Sequence, residues 1–193
     1  MRQYDPMILW NTPARWGTVA RFFNWTLAAL LLILIIVGLV MGDLPREDRM
    51  FAFTMHKSFG LLALGLAICR FVWRMSDKPP APLPGTPKSH VVSAEIVHWA
   101  LYALMLAVPV AGYLSSSYGH YPFPFFMQPG LQVPLLTPEN GSLRETWGDR
   151  HVLLVWILIV VIALHVGAAL FHHFVKKDAI LARMTPFISP LKA

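Results

Sequence analysis

Cysteine and charge are both scarce in this sequence. The single cysteine, Cys69, excludes an intrachain disulfide and any zinc or iron–sulfur site built from several thiolates. Charged residues make up only 13% of the 193 positions, whereas apolar residues make up 56%. A soluble globular domain carries about 25% charged residues. The composition therefore indicates a membrane protein rather than a soluble enzyme.

The motifs of several common chemistries are also missing. The sequence has no P-loop, no dinucleotide-binding glycine pattern and no G-x-S-x-G nucleophile elbow. Its acidic residues cluster in two connections, which gives no support to a paired-carboxylate hydrolase site. The net charge is +6 and the pI is about 9.8. The basic residues flank apolar runs instead of forming one face, so nucleic acid is not an expected partner.

Long apolar runs are what the sequence has in abundance. Four segments reach the roughly 20 residues that a helix needs to cross the hydrocarbon core. They show no strand-like alternation, and helices are then the way to satisfy the backbone in lipid. We expect an all-α protein with one membrane domain over residues 1–193, a four-transmembrane-helix bundle. The expected spans are about residues 20–41, 53–73, 96–115 and 151–173.

The connections and their charges predict the topology. Residues 76–89 are proline-rich and should be extended, and the long aromatic connection at 116–150 is expected to lie over the membrane surface. The N-terminal segment, the second connection and the C-terminus with adjoining helix ends carry eleven Lys and Arg, and the other two connections carry five. Because basic residues accumulate on the cytoplasmic side, both termini should be cytoplasmic.

Histidines are the ionisable residues whose depth is informative. His56 and His151 begin the second and fourth helices, near the predicted outer face. His165 follows His151 by fourteen residues, or roughly 21 Å of helix, and lies on the same face because this is close to four turns. One helix thus offers a ligand to each of two stacked cofactors.

Haem b is the cofactor that this spacing favours. Its iron takes axial nitrogen ligands, which neutral imidazole supplies in a dry site. Small residues follow the histidines, Gly60 after His56 and Gly167 after His165, where a macrocycle would pack. The alternative for each histidine is a hydrogen bond between helices or a place at the membrane interface.

The sequence resembles the bacterial cytochrome b561 family, which is related to the cytochrome b subunits of hydrogenases and formate dehydrogenases. The matching segments are RFFNW in the first helix, MHKSFG in the second, VHWALYALMLAVPVAGY in the third, and HVLLVWILIVVIALHVGAALFHHFVKKDAILARMTP at the end. The resemblance implies two haems b between four helices and electron exchange with quinone. It assigns His56 and His151 to the outer haem and His165 to the inner one.

One position departs from the family pattern. The first helix of the family carries a histidine as the other inner ligand, and this sequence has Asn24 there. Three outcomes remain open: Asn24 beside a five-coordinate haem held by His165, His98 as the replacement ligand, or no inner haem.

Further residues are candidates for binding a quinone or the haem propionates. His98, His172 and His173 suit hydrogen bonding to a quinone carbonyl or a propionate, and basic side chains near a bilayer edge suit propionates. Membrane topology, snorkelling and interfacial solvation explain the same residues without a ligand. The basic candidates are Arg21, Arg70, Arg74, Lys57 and Arg150.

We therefore expect an electron carrier of the bacterial inner (plasma) membrane that uses haem b and ubiquinone. A narrower hypothesis is oxidation of superoxide at the outer face, which would make the chain a superoxide:ubiquinone oxidoreductase. One alternative is a haem-bearing anchor subunit for a periplasmic or membrane dehydrogenase, with the aromatic connection docking a periplasmic redox protein. The other is a haem-free helical transporter or scaffold.

Overall fold

Four long helices make up most of the chain in the computed structural model, which describes residues 8–185. Within these residues the only β pairing is an isolated bridge between Pro124 and Gln132. All four helices are long and apolar enough to cross a membrane. The prediction of an all-α protein with four transmembrane helices is confirmed, whereas a single domain and cytoplasmic termini stay predictions. The helices are α1 (Thr18–Val40), α2 (Arg46–Ser76), α3 (Lys88–Tyr118) and α4 (Gly141–Phe171); a 3₁₀ turn spans Phe125–Met127 and a π turn His172–Lys176.

Three helices begin well before their apolar spans. Hydropathy marks the part of a helix that meets lipid, and the extra turns are polar. In α2 the first turn carries Glu47 and Asp48, whose charges suit a helix N-terminus. Before α4, the Asn140 side chain accepts a hydrogen bond from the Leu143 amide at 3.0 Å, which caps the helix. Local capping therefore extends the helices beyond the expected bounds.

Many apolar side chains of α1 and α4 are exposed. Leu32 is 60% exposed, and Val160 and Leu164 are 57% and 61% exposed. Soluble monomers rarely expose contiguous apolar patches on this scale. These surfaces are accounted for by contact with lipid.

The described chain divides into two compact units, and every long helix contributes to both. The terminal unit comprises residues 8–26, 69–102 and 159–185, and the central unit comprises residues 27–68 and 103–158. In the terminal unit, the Arg183 guanidinium donates to the carbonyls of Pro13 and Ala14, each at 2.7 Å. Burial lowers the pKa of Arg183, but a guanidinium stays protonated at neutral pH. The segment after α4 is thereby tied to the segment before α1.

In the central unit, buried Ser58 holds the connection between α3 and α4. Its hydroxyl donates to the Thr54 carbonyl at 2.8 Å and accepts from the Phe126 amide at 3.0 Å. Phe126 adopts a left-handed conformation (φ 49°), which a non-glycine residue keeps only when its surroundings hold it there. The Phe126 ring packs edge-on against Phe59 at 4.9 Å between centroids. Part of the aromatic connection is thus used for internal packing.

A second buried serine, Ser117, holds the later part of the same connection. Its hydroxyl oxygen lies 3.0 Å from the Leu136 amide and 3.1 Å from the Thr137 amide, and it accepts from both. Phe123 is only 5% exposed, whereas Tyr121 is exposed. Aromatic side chains of this connection therefore also pack within the unit.

Candidate functional site

Two helices of the central unit place a pair of histidines opposite each other. The imidazoles of His56 on α2 and His151 on α4 lie 6.3 Å apart between centroids with their planes at 87°. Nδ1 of His151 lies 2.9 Å from the Val108 carbonyl oxygen. A carbonyl can only accept, so Nδ1 carries the proton and the Nε2 lone pair is free for a metal. We call His56 and His151 the central pair.

Two glycines leave room for these imidazoles. A Cβ added at Gly38 of α1 would lie 3.1 Å from Cε1 of His56, and one added at Gly112 of α3 would lie 2.9 Å from Nδ1 of His151. Gly60 and Gly167, which the sequence predicts to lie beside a macrocycle, face open space, since an added Cβ there meets no protein atom within 4 Å; their role stays a prediction. Gly38 and Gly112 were missed, because a glycine in an apolar helix does not reveal which neighbour approaches it.

The central pair fits a metal that brings its own equatorial ligands. With metal–nitrogen bonds of about 2 Å, the 6.3 Å between the centroids would leave room for a metal held by one nitrogen of each ring. Nδ1 of His56 is buried with no hydrogen-bond partner among the described residues. Sites made only of protein ligands use three or four of them, and residues 8–185 contain no cluster of three or more His, Cys, Asp or Glu. Two opposed imidazoles suit haem iron better.

The terminal unit contains a second pair, formed by His98 of α3 and His165 of α4. Their centroids lie 5.3 Å apart and their planes meet at 65°. The rings are closer together than those of the central pair, so holding a metal between them would require them to move apart. Of the three outcomes that the sequence left open, this geometry favours His98 as the partner of His165. We call these two residues the terminal pair.

Asn24 is engaged elsewhere in the same unit. Its Oδ1 accepts a hydrogen bond from Nη2 of Arg70 at 3.2 Å. Nε of Arg70 donates to the Tyr102 hydroxyl at 3.4 Å, and the guanidinium lies 5.5 Å from the Tyr102 ring centroid. The carboxamide oxygen, which is the ligating atom of asparagine, is therefore occupied by a cation.

The histidines after α4 differ from each other. His172 forms a hydrogen bond through Nδ1 with the Asp178 carboxylate. His173 is 7% exposed, and its Nδ1 is buried with no partner among the described residues. Interfacial solvation, the alternative raised for both, does not describe His173.

The basic candidates also have distinct surroundings. The Lys57 ammonium lies 5.1 Å from the centroid of Phe123 and 5.9 Å from that of Tyr121, and the Arg150 guanidinium lies 4.8 Å from a ring of Trp147. Such cation–π contacts hold both charges beside aromatic rings. In the terminal unit, Arg74 is half-buried in the last turn of α2 and Arg21 donates from Nη2 to the Thr18 hydroxyl at 3.2 Å.

Comparison with known proteins identifies the family. The sequence model described as "Prokaryotic cytochrome b561" matches residues 15–187. The chain belongs to the prokaryotic cytochrome b561 family. It is 34% identical to "Cytochrome b561 homolog 2" of Escherichia coli (strain K12) over 176 residues, which cover 90% of this chain and 93% of the relative. It is 31% identical to "Probable superoxide oxidase CybB" of Yersinia pestis over 165 residues, which cover 81% and 90%.

A further relative, "Cytochrome b561 homolog 1" of Escherichia coli (strain K12), is 30% identical over 138 residues, which cover 68% of this chain and 73% of the relative. Membership in the cytochrome b561 family makes the chain a haem b-binding electron carrier of the bacterial inner membrane. The four apolar helices agree with a multi-pass protein. The family also interacts with quinones generally.

Proposed function

We propose that the chain binds two haems b and passes electrons through them to ubiquinone. The observation that carries this proposal is the central pair, in which two imidazoles oppose each other at 6.3 Å and the tautomer of one is fixed. Haem b, when bound, supplies an iron that accepts and releases one electron at a time. Membership in a haem-binding family argues against a haem-free transporter or scaffold.

The protein's own residues set up the central site. The Val108 carbonyl orients His151 and increases the basicity of its Nε2, as such second contacts do for metal-bound histidines. Gly38 and Gly112 let α1 and α3 approach the two imidazoles closely. Apolar surroundings disfavour extra charge on the iron, so they contribute to its redox potential.

The terminal pair would hold the second haem. His98 and His165 face each other within one unit, and Arg70 engages the side-chain oxygen of Asn24. We infer that His98 replaces the first-helix histidine of the family. Since α4 carries both His151 and His165, one continuous helix would supply a ligand to each haem.

Ubiquinone is the proposed acceptor, and His173 is the proposed contact. Reduction of ubiquinone to ubiquinol takes two electrons and two protons. The Nδ1 of His173 is buried without a partner, and imidazole can donate to or accept from a quinone oxygen. The distribution of Lys and Arg supports cytoplasmic termini, which would put the central pair towards the periplasm.

The central site is tested by removing its ligands. We expect His56→Ala and His151→Ala each to lower the haem-to-protein ratio by one haem per chain, measured as pyridine haemochrome. His90→Ala is the matched control, because His90 is exposed in the first turn of α3. Haem content equal to that of the control in either variant would refute the assignment.

Oxidation of superoxide is a second candidate function. Lys57 follows His56 and Arg150 precedes His151, so a basic residue adjoins each member of the central pair. One superoxide would leave as dioxygen for each electron delivered, and two electrons with two protons would complete one ubiquinol. Electrostatic attraction of the anion predicts a rate that falls as ionic strength rises.

The assay for this activity is superoxide-driven ubiquinol formation by the purified chain at several salt concentrations. A rate no faster than that without protein would remove superoxide from the account. Co-purification of a periplasmic or membrane redox protein would instead favour the anchor-subunit alternative. Neither result bears on haem content, so the proposed ligands are tested separately.

A further inference from the structure

A cavity of about 210 Å³ lies in the terminal unit, in the segment that leads into α1. Apolar side chains form part of the lining. The remaining lining residues are Trp10, Thr12, Arg15, Trp16 and Arg21.

The walls of the cavity are held in place by backbone contacts. The amide of Thr18 donates to the Ile8 carbonyl at 2.8 Å, and the amide of Gly17 donates to Oδ1 of Asn11 at 2.8 Å. A Cβ at Gly17 would lie 2.3 Å from the Leu9 carbonyl oxygen, so the chain folds back tightly at this point. The cavity is therefore a built feature of the segment.

Arg21 lines this cavity and carries an unsatisfied donor. Its Nη2 donates to the Thr18 hydroxyl at 3.2 Å, while its Nε is buried with no partner among the described residues. A buried N–H without an acceptor is costly, and such groups often indicate an ion or water that binds there. Among residues 8–185, the lining includes the Arg21 guanidinium and no carboxylate. These features predict an anionic ligand with oxygen acceptors.

The aromatic walls indicate where that ligand comes from. Tryptophans concentrate at the level of the lipid headgroups, since the indole is apolar with one polar N–H. Trp10 stacks on Trp73 at 4.5 Å between centroids, which fixes one aromatic wall. The cavity directly precedes the first spanning helix. A phosphate carried by a lipid would find a guanidinium for its oxygens and indoles for its glycerol and upper acyl chain.

We propose that this cavity binds the phosphate group of an anionic membrane phospholipid, with Arg21 as the principal donor. A guanidinium suits phosphate because its parallel N–H groups can donate to two oxygens at once. Arg15 also lines the cavity. Nothing in this assignment depends on how many haems the chain binds.

Native mass spectrometry of the purified full chain tests the proposal, with phosphatidylglycerol and phosphatidylcholine as probes. We expect wild type to retain phosphatidylglycerol in preference to phosphatidylcholine. Arg21→Gln should weaken phosphatidylglycerol binding at least tenfold, because a charge-assisted contact is lost. Lys88→Gln is the matched control, since it removes one exposed positive charge from the same unit and should change nothing. Equal binding by Arg21→Gln and Lys88→Gln would overturn the proposal.

Two further measurements distinguish a lipid phosphate from other anions that could occupy the cavity. Millimolar inorganic phosphate that displaces the lipid fully would mean that the site serves free phosphate, and it would overturn the lipid assignment. A fall in haem content in Arg21→Gln would mean that the arginine holds a haem propionate, and it would also overturn the lipid assignment. If Arg21→Gln does not fold, Arg21→Lys keeps the charge and loses Nε. We expect this variant to bind phosphatidylglycerol several-fold more weakly than wild type, and undiminished binding would contradict the role of Nε.

Discussion

Gly112→Ala should weaken haem binding at the central pair, although Gly112 itself does not bind the iron. The new methyl carbon would lie 2.9 Å from Nδ1 and 3.1 Å from Cε1 of His151. Comfortable contact between such atoms needs about 3.5 Å. The His151 ring, or α3 itself, must therefore move by about half an ångström. That shift acts on the nitrogen that donates to the Val108 carbonyl.

The size of the expected loss of haem affinity follows from the hydrogen bond between His151 and the Val108 carbonyl, which orients the imidazole. Loss of a partner that orients a metal-bound histidine typically costs about 10–100-fold in metal affinity. We expect Gly112→Ala to weaken haem binding at the central site within that range. Gly38→Ala places its methyl 3.1 Å from Cε1 of His56, a carbon with no hydrogen bond to lose, and should have a smaller effect. Gly65→Ala is the control, because Gly65 is exposed, meets nothing within 4 Å and lies nine residues after His56, on the opposite side of α2. Helix propensity there favours alanine by about 1 kcal/mol.

The assay is the haem-to-protein ratio of each purified variant, together with its rate of haem loss to an excess of a haem-binding acceptor. The expected order of haem loss is Gly112→Ala fastest, then Gly38→Ala, with Gly65→Ala equal to wild type. Wild-type haem retention in Gly112→Ala would show that His151 is not constrained as described. Equal losses in Gly65→Ala and Gly112→Ala would point to general damage to the helices instead.

Two further predictions concern the terminal pair and the aromatic connection. His98→Ala should remove one low-spin haem from the optical and electron paramagnetic resonance spectra, because His98 faces His165. Asn24→Ala should retain both haems, because the Asn24 side chain is hydrogen-bonded to Arg70 instead. Loss of that haem only in Asn24→Ala would reverse the assignment. Ser58→Ala should lower the free energy of unfolding by about 1–3 kcal/mol, because it leaves the Phe126 amide without its acceptor. Ser93→Ala, at an exposed serine that also donates to a helix carbonyl, is its control, and equal denaturation midpoints for the two variants would count against a role for Ser58 in holding the connection.

The sequence predicted the number of helices because lipid imposes a simple rule. A span needs about 20 apolar residues, and four segments met that length. Helix ends depend on local hydrogen bonds rather than on hydropathy, so α4 begins at Gly141 and not near residue 151. Asn140 caps that helix through its side chain, and hydropathy does not register such a contact.

The candidate site could be predicted only in part for a related reason. The fourteen-residue spacing of His151 and His165 follows from the helical period, so their place on one face of α4 needed no structure. Which histidine faces His165 depends on how α1 and α3 are rotated within the terminal unit. The contact between Arg70 and Asn24 is part of that arrangement, and neither residue type reveals it in the sequence. The close approach of Gly112 to His151 is hidden for the same reason.

Quantifying haem in the purified wild-type chain tests the central proposal most directly. Two opposed imidazole pairs predict two haems b per chain by pyridine haemochrome, with both irons low-spin and six-coordinate. A single haem, or a second one with a high-spin five-coordinate iron, would contradict ligation by His98 and His165. A colourless protein would contradict the account at both pairs.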